Sequence, residues 1–200
     1  MKSSSTRQQI IDAADELFYA QGFGETSFAD IAKSVSISRG NFYYHFKTKD
    51  EILDAVIEKR LSDREDMLRN WDKMSGNPAE RIACFVRILI VNQTKIFAYG
   101  CPVGTLTMEL AKLEHASSGN ANRIMGLFRD WLTRQFSELD SDADAEAQAL
   151  HVLSWSQGVA TLAQAFRDED FVRREVDQIL DWVGRVSPSS SLRQPGLAGI

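Results

Sequence analysis

The chain has 200 residues and weighs 22.5 kDa, with 44% apolar and 26% charged side chains. That is ample length for a buried core and an ordinary globular composition, which excludes global disorder. The net charge of −5 argues against a polyanionic partner, but residues 1–49 carry six Lys/Arg against five Asp/Glu, whereas 50–200 carry 17 against 23, so any anion-binding surface belongs near the N-terminus.

Four of the six early cations lie between Lys33 and Lys49. The opening residues have no apolar core and do not read as a secretory signal. The longest aliphatic run, Ile88 to Val91, is far short of a membrane span. Cys84 and Cys101 form neither a disulfide framework nor a CxxC pair, and the expected compartment is the reducing cytoplasm.

Helical periodicity dominates. A first helix is expected from Arg7 to Gln21, capped by Thr6, with Ile10, Ala14, Leu17 and Phe18 inward and Gly22 at its C-terminal end. A second fits Ser27–Ser34 and turns Phe28, Ile31 and Ala32 inward. A third fits Arg39–Phe46, capped by Ser38. A fourth begins at Thr48, carries Asp50 and Glu51 in its first turn where the dipole favours anions, and continues to about Trp71. Asn77-Pro78-Ala79-Glu80 reads as a cap, a first-turn proline and a reciprocal carboxylate. The helix it opens is expected to stop near Gly100.

A helix over Val103–Glu114 follows, then a break at Ser117–Asn120 and a helix to about Leu139. Ser141 or Asp142 is the expected cap of the next. From Ala143 to Phe166 apolar residues occur almost all round, so this helix must be covered on more than one side. The last helix, Phe171–Val186, carries one stripe of Val172, Val176, Ile179, Leu180 and Val183. A Ser/Pro/Gly-rich, disordered tail is expected over 187–200. Nine helices and no strand are the sum: an all-α chain with a small head over 1–48 and a helical body over 49–186.

Three short helices within 46 residues suggest a helix-turn-helix, whose third helix enters a major groove. Ile37, Phe42 and Phe46 would anchor that helix, leaving Arg39, Asn41, Tyr43, Tyr44 and His45 outward. Arginine reads guanine and asparagine reads adenine by paired hydrogen bonds, and tyrosine hydroxyls suit phosphates. Taken alone, Tyr-Tyr-His would more often be core or surface filler than a DNA contact; spacing and context together favour DNA.

The stretches Thr26-Ser27-Phe28-Ala29-Asp30-Ile31-Ala32, Ile37-Ser38-Arg39-Gly40-Asn41-Phe42-Tyr43-Tyr44-His45-Phe46 and Lys49-Asp50-Glu51-Ile52-Leu53 resemble the TetR family of transcriptional regulators. With the first helix, the resemblance covers about residues 6–57. It implies a DNA-binding head and a larger helical body that dimerises and binds a small effector. By position, Thr26 or Ser27 would touch phosphate, and Arg39, Asn41 and Tyr44 would face base edges. Tyr43 and Lys49 would hold the DNA backbone, with His45 and Lys47 close by; Ser38 and Gly40 complete the motif. One departure is Ser36, where the family's turn usually has glycine, because serine tolerates positive φ less well.

The resemblance also implies a homodimer, built here from the last two helices, that brings two heads to a palindromic operator. Phe85, Leu89, Tyr99, Cys101, Met108, Phe128, Trp131 and Trp155 are the candidates for lining an effector cavity, although residue by residue plain core is the better reading. Few charges interrupt these stripes, which favours an apolar or aromatic effector, oriented by Arg87, Asn92 or Gln93. Gly100-Cys101-Pro102-Val103-Gly104 resembles the glycine-cysteine segment of a TetR subset, some of which sense electrophiles. The alternative is a small cysteine in a tight turn. No HExxH, Glu-x-x-His pair, P-loop or GxGxxG is present, so neither an enzyme, a metal site nor a cofactor is expected. The rival reading is a helical carrier or adaptor that binds no DNA.

Overall fold

The computed structural model describes residues 5–140 and 144–187. Among them are ten helices: α1 (Thr6–Gln21), α2 (Phe28–Ser34), α3 (Arg39–His45), α4 (Lys49–Met74), α5 (Pro78–Val91), α6 (Gln93–Tyr99), α7 (Pro102–Lys112), α8 (Ser118–Leu139), α9 (Ala145–Phe166) and α10 (Glu169–Arg185). No strand occurs among the described residues.

Several boundaries move for identifiable reasons. Ser5, not Thr6, caps α1, its side chain accepting from Gln8 N–H at 3.2 Å. The expected 78–100 helix is interrupted at Asn92, whose Nδ2 donates to Ile88 O at 3.1 Å and competes with the backbone for that carbonyl. Asp144 caps α9, accepting from Ala147 N–H at 3.0 Å; Ser141 and Asp142 lie outside the described residues, as does the expected tail beyond Ser187. No single helix among the described residues is long and apolar enough to cross a membrane.

The chain divides into two compact units. The first holds residues 1–67 and 98–127, so α7 and the start of α8 belong with the head helices. Its core joins Ile10, Ala14 and Phe18 of α1, Ile31 of α2, Phe42 of α3, Ile52, Leu53, Val56 and Ile57 of α4, and Val103, Leu106 and Leu110 of α7. One charged pair runs through it. Arg60, 4% exposed, donates from Nε to Asp15 Oδ1 at 2.6 Å and from Nη1 to Pro102 O at 2.7 Å. Tyr19 donates its hydroxyl to Gly100 O at 2.8 Å, where the chain turns with φ +79°. Burial, with Cys101 adding to it, pushes the Tyr19 hydroxyl up to about 12.

The second unit holds residues 68–97 and the chain from 128 onward. Here α10 packs on α5 and α9 through the expected stripe of Val172, Val176, Ile179 and Val183. Asp72 accepts from Trp131 Nε1 at 2.9 Å and from Arg134 Nη2 at 2.7 Å, which ties the end of α4 to α8. Helix α9 buries Ala149, Val152, Ser156, Val159, Ala160 and Ala163, yet leaves Leu150, Leu162 and Phe166 exposed.

Candidate nucleic-acid interface

Helix α2 starts with a reciprocal capping box. Ser27 Oγ accepts from Asp30 N–H at 3.1 Å, and Asp30 Oδ2 accepts from Ser27 N–H at 2.9 Å. The Ser27 hydroxyl also donates to Asp30 Oδ2 at 2.6 Å, and these bonds hold the Asp30 carboxyl below its usual value. The turn to α3 passes through Ser36 at φ +54°, so this serine adopts the left-handed geometry that glycine would take without strain. Ser38 then caps α3, accepting from Asn41 N–H at 3.3 Å.

Two contacts seat α3. Phe42 is fully buried and meets Phe28 edge-on at 4.8 Å between ring centroids. Phe46 is 2% exposed, with the Arg7 guanidinium 4.9 Å from its ring centroid. Ile37, expected as an anchor, is half-buried. Arg39, Gly40, Asn41, Tyr43 and Tyr44 are exposed and His45 is half-buried. Tyr44 is 78% exposed and packs only against His45, with ring centroids 5.2 Å apart. Tyr43 leans on Phe28 at 5.2 Å and carries the Arg39 guanidinium 5.5 Å above its ring. Thus a guanidinium, a carboxamide and two phenols are exposed along α3, with Tyr43 also resting on Phe28.

Two expected phosphate contacts change. Thr26 is fully buried and its hydroxyl donates to Gly22 O at 2.7 Å, so of Thr26 and Ser27 only Ser27 is exposed. Lys49 points its ammonium inward, donating to Phe23 O at 2.8 Å and Thr26 O at 2.9 Å, 4.1 Å from the Phe23 ring centroid. Carbonyls and a ring face outcompete water for that cation. Lys47 stays exposed, its Nζ donating to Tyr43 O.

Periodicity did not point to Glu109. From α7 it accepts from Phe23 N–H at 2.9 Å and Gly24 N–H at 2.8 Å, holding the α1–α2 loop. His115 stacks edge-on against Phe23 at 5.0 Å. The only sequence signal was a carboxylate interrupting an apolar helix.

The eight effector candidates divide between the two units. Phe85, Leu89, Phe128, Trp131 and Trp155 fall in the second unit, where Phe85 and Phe128 stand 5.5 Å apart. Tyr99, Cys101 and Met108 fall in the first. Tyr99 is 41% and Met108 60% exposed. Cys101 is half-buried and caps α7, its Sγ accepting from Gly104 N–H at 3.4 Å. Of the polar orienting candidates, Arg87 and Asn92 are exposed and Gln93 is buried.

A family model described as bacterial regulatory proteins, tetR family, matches residues 10–56. The chain is 29% identical over 149 residues, 73% of its length and 70% of the other's, to an uncharacterized HTH-type transcriptional regulator in the lacX 3′ region of Lactococcus lactis subsp. lactis. It is 33% identical over 89 residues to the HTH-type transcriptional regulator TtgR of Pseudomonas putida, a match spanning 44% of this chain and 41% of TtgR. A TetR transcriptional regulator from Legionella pneumophila superposes with a TM-score of 0.80 at 24% identity, over 91% of this chain and 98% of that one. Helix order, the capped recognition helix and these matches agree: residues 10–56 match the DNA-binding head of the tetR family of bacterial regulatory proteins, and the chain shares the fold of the Legionella pneumophila regulator.

Proposed function

We propose that this chain is a repressor that binds a palindromic DNA operator as a homodimer and releases it when a small apolar or aromatic effector binds. The observation that carries the reading is the outer face of α3, where Arg39, Asn41, Tyr43 and Tyr44 are exposed while Phe42 is fully buried behind them. Arg39 and Asn41 read base edges together with Tyr44. Tyr43, Ser27 and Lys47 hold phosphates, with Ser38, Gly40 and His45 completing the surface.

One head reads only a few base pairs, and a two-fold dimer places two of them about 34–36 Å apart, or a multiple, on the duplex. The exposed Leu150, Leu162 and Phe166 of α9 support a second copy as their cover. The aromatic cluster around Phe85 and Phe128 supports an aromatic effector in the second unit. Helix α4 contributes residues to both units and is the route by which effector binding reaches the head.

Duplexes are selected by the purified protein from a random pool, and their binding is compared for wild type, Arg39→Ala and Asn41→Ala. Loss of roughly 1–3 kcal/mol of discrimination at a base in each half-site is expected for each variant. Wild-type protein that enriches no duplex at low salt refutes the reading and favours a carrier without DNA.

A further inference from the structure

We propose that Gly40 is the steric determinant of groove docking: the backbone of α3 at this residue meets base-pair edges so closely that no side chain fits between them. The inference rests on the DNA-binding reading above and gives one residue a role in it that is defined by the absence of a side chain.

Successive residues turn by about 100°, so Gly40 and Tyr44 lie about 20° either side of the pole opposite Phe42. Phe42 is fully buried, and Gly40 and Tyr44 are both exposed. Gly40 therefore marks the outermost line of the helix, one turn before the most exposed aromatic of α3. Arg39 and Asn41 flank it in the chain, so a duplex read by both side chains must pass directly over the Gly40 backbone.

Nothing inside the chain explains a glycine there. A Cβ at Gly40 would meet no atom within 4 Å, and its φ is not in the positive range. Gly22 provides the contrast, because its φ of +92° and the Glu109 carboxylate both require glycine. At an ordinary φ, replacing glycine by alanine stabilises a protein by about 0.4–1 kcal/mol through the unfolded chain. A glycine kept on the outermost line of α3, between the two side chains read as base contacts and with open space around it, finds its explanation in what docks on that face. A methyl group there would hold the helix off the groove floor and lengthen the hydrogen bonds made by its neighbours.

The test uses the full chain and duplexes selected by wild-type protein from a random pool. For Gly40→Ala we expect the melting temperature to rise by about 2 °C. Affinity for the selected duplex should fall roughly tenfold or more, while binding to an unselected duplex, which is governed by phosphate charge, stays within about twofold. Gly40→Ser should show the same loss of selected binding. Gly126→Ala, a mid-α8 glycine with the same open surroundings, should raise the melting temperature and leave DNA binding unchanged. Selected-duplex affinity of Gly40→Ala equal to wild type overturns the inference. So does a fall in melting temperature together with binding, since that places the need for glycine inside the fold. If wild-type protein selects no duplex, the DNA-binding reading itself fails, a result distinct from either of these.

Discussion

Glu109 fills the space that a side chain at Gly22 would need: a Cβ there would stand 2.9 Å from Glu109 Oε1. The same carboxylate accepts the next two backbone N–H groups, those of Phe23 and Gly24. A loop that joins two head helices is thereby fixed by a residue 85 positions away. Gly22 also sits at φ +92°, ψ +158°, a region open essentially to glycine alone. Gly22→Ala is expected to destabilise the protein by about 2–3 kcal/mol, from backbone strain and the clash together. Pairing it with Glu109→Ala removes the clash together with the two hydrogen bonds of that carboxylate, so the coupling energy of the cycle, not the double variant alone, isolates the clash. A urea-unfolding cycle over the two single variants and the double variant separates the contributions, and full recovery in the double variant would contradict the strain assignment.

Arg60 and Asp15 form the charged pair most deeply set in the first unit. Asp15→Ala takes the carboxylate from a buried guanidinium that also donates to Pro102 O and should cost about 3 kcal/mol. Replacing both residues, as Asp15→Leu with Arg60→Met, should restore part of that stability, because the buried Arg60 charge is gone while Lys59 still loses its Asp15 contact at 3.3 Å. Equal losses in the single and double variants, measured by urea unfolding, would show that packing rather than charge decides this site.

Ser36 holds a left-handed backbone at φ +54° without a glycine's freedom. Ser36→Gly should stabilise the head by about 1 kcal/mol, the strain of a non-glycine residue there less the extra entropy of the unfolded chain. The check is the thermal midpoint, and a lowered midpoint would mean that the serine hydroxyl contributes more than the strain removes.

Tyr19 supplies the alkaline limit. Its ordinary value is 10.0 and the fold raises it to about 12, so the protonated phenol is favoured in the native state. A group raised on folding contributes stability that is complete below its unfolded value and disappears as pH climbs through its folded value. Wild-type stability should therefore decline between about pH 10 and 12 through this hydroxyl, and Tyr19→Phe should show a shallower decline there. Superimposable alkaline profiles for the two proteins would remove Tyr19 as the cause.

Phe42 and Tyr44 separate folding from recognition on one short helix. Phe42→Ala, at a fully buried position, should cost about 3–5 kcal/mol and abolish DNA binding through loss of the head. Tyr44→Ala, 78% exposed, should leave stability within about 0.5 kcal/mol and still lose selected-duplex affinity. Normal DNA binding by Tyr44→Ala would take this ring out of the interface.

Much of this molecule was determined by short-range sequence alone. The cap at Ser38, the apolar spacing of Ile10, Ala14 and Phe18, and the burial of Phe42 and Phe46 are all met in the structure. Each depends on residues within about one or two turns of one another, where hydrogen-bond reach and helical period are enough to decide the outcome. Tertiary structure decided where the long or ambiguous side chains go. Lys49 turned from solvent to the Phe23 and Thr26 carbonyls, Thr26 was buried, and Glu109 became the anchor of a distant loop. Their partners lie 4 to 86 residues away, and a flexible ammonium or carboxylate takes whichever partner the packed chain presents. The assignment of Tyr99, Cys101 and Met108 to the first unit and of Phe85 and Phe128 to the second belongs to the same class, because helical spacing says which side of a helix is apolar but not which neighbour meets it.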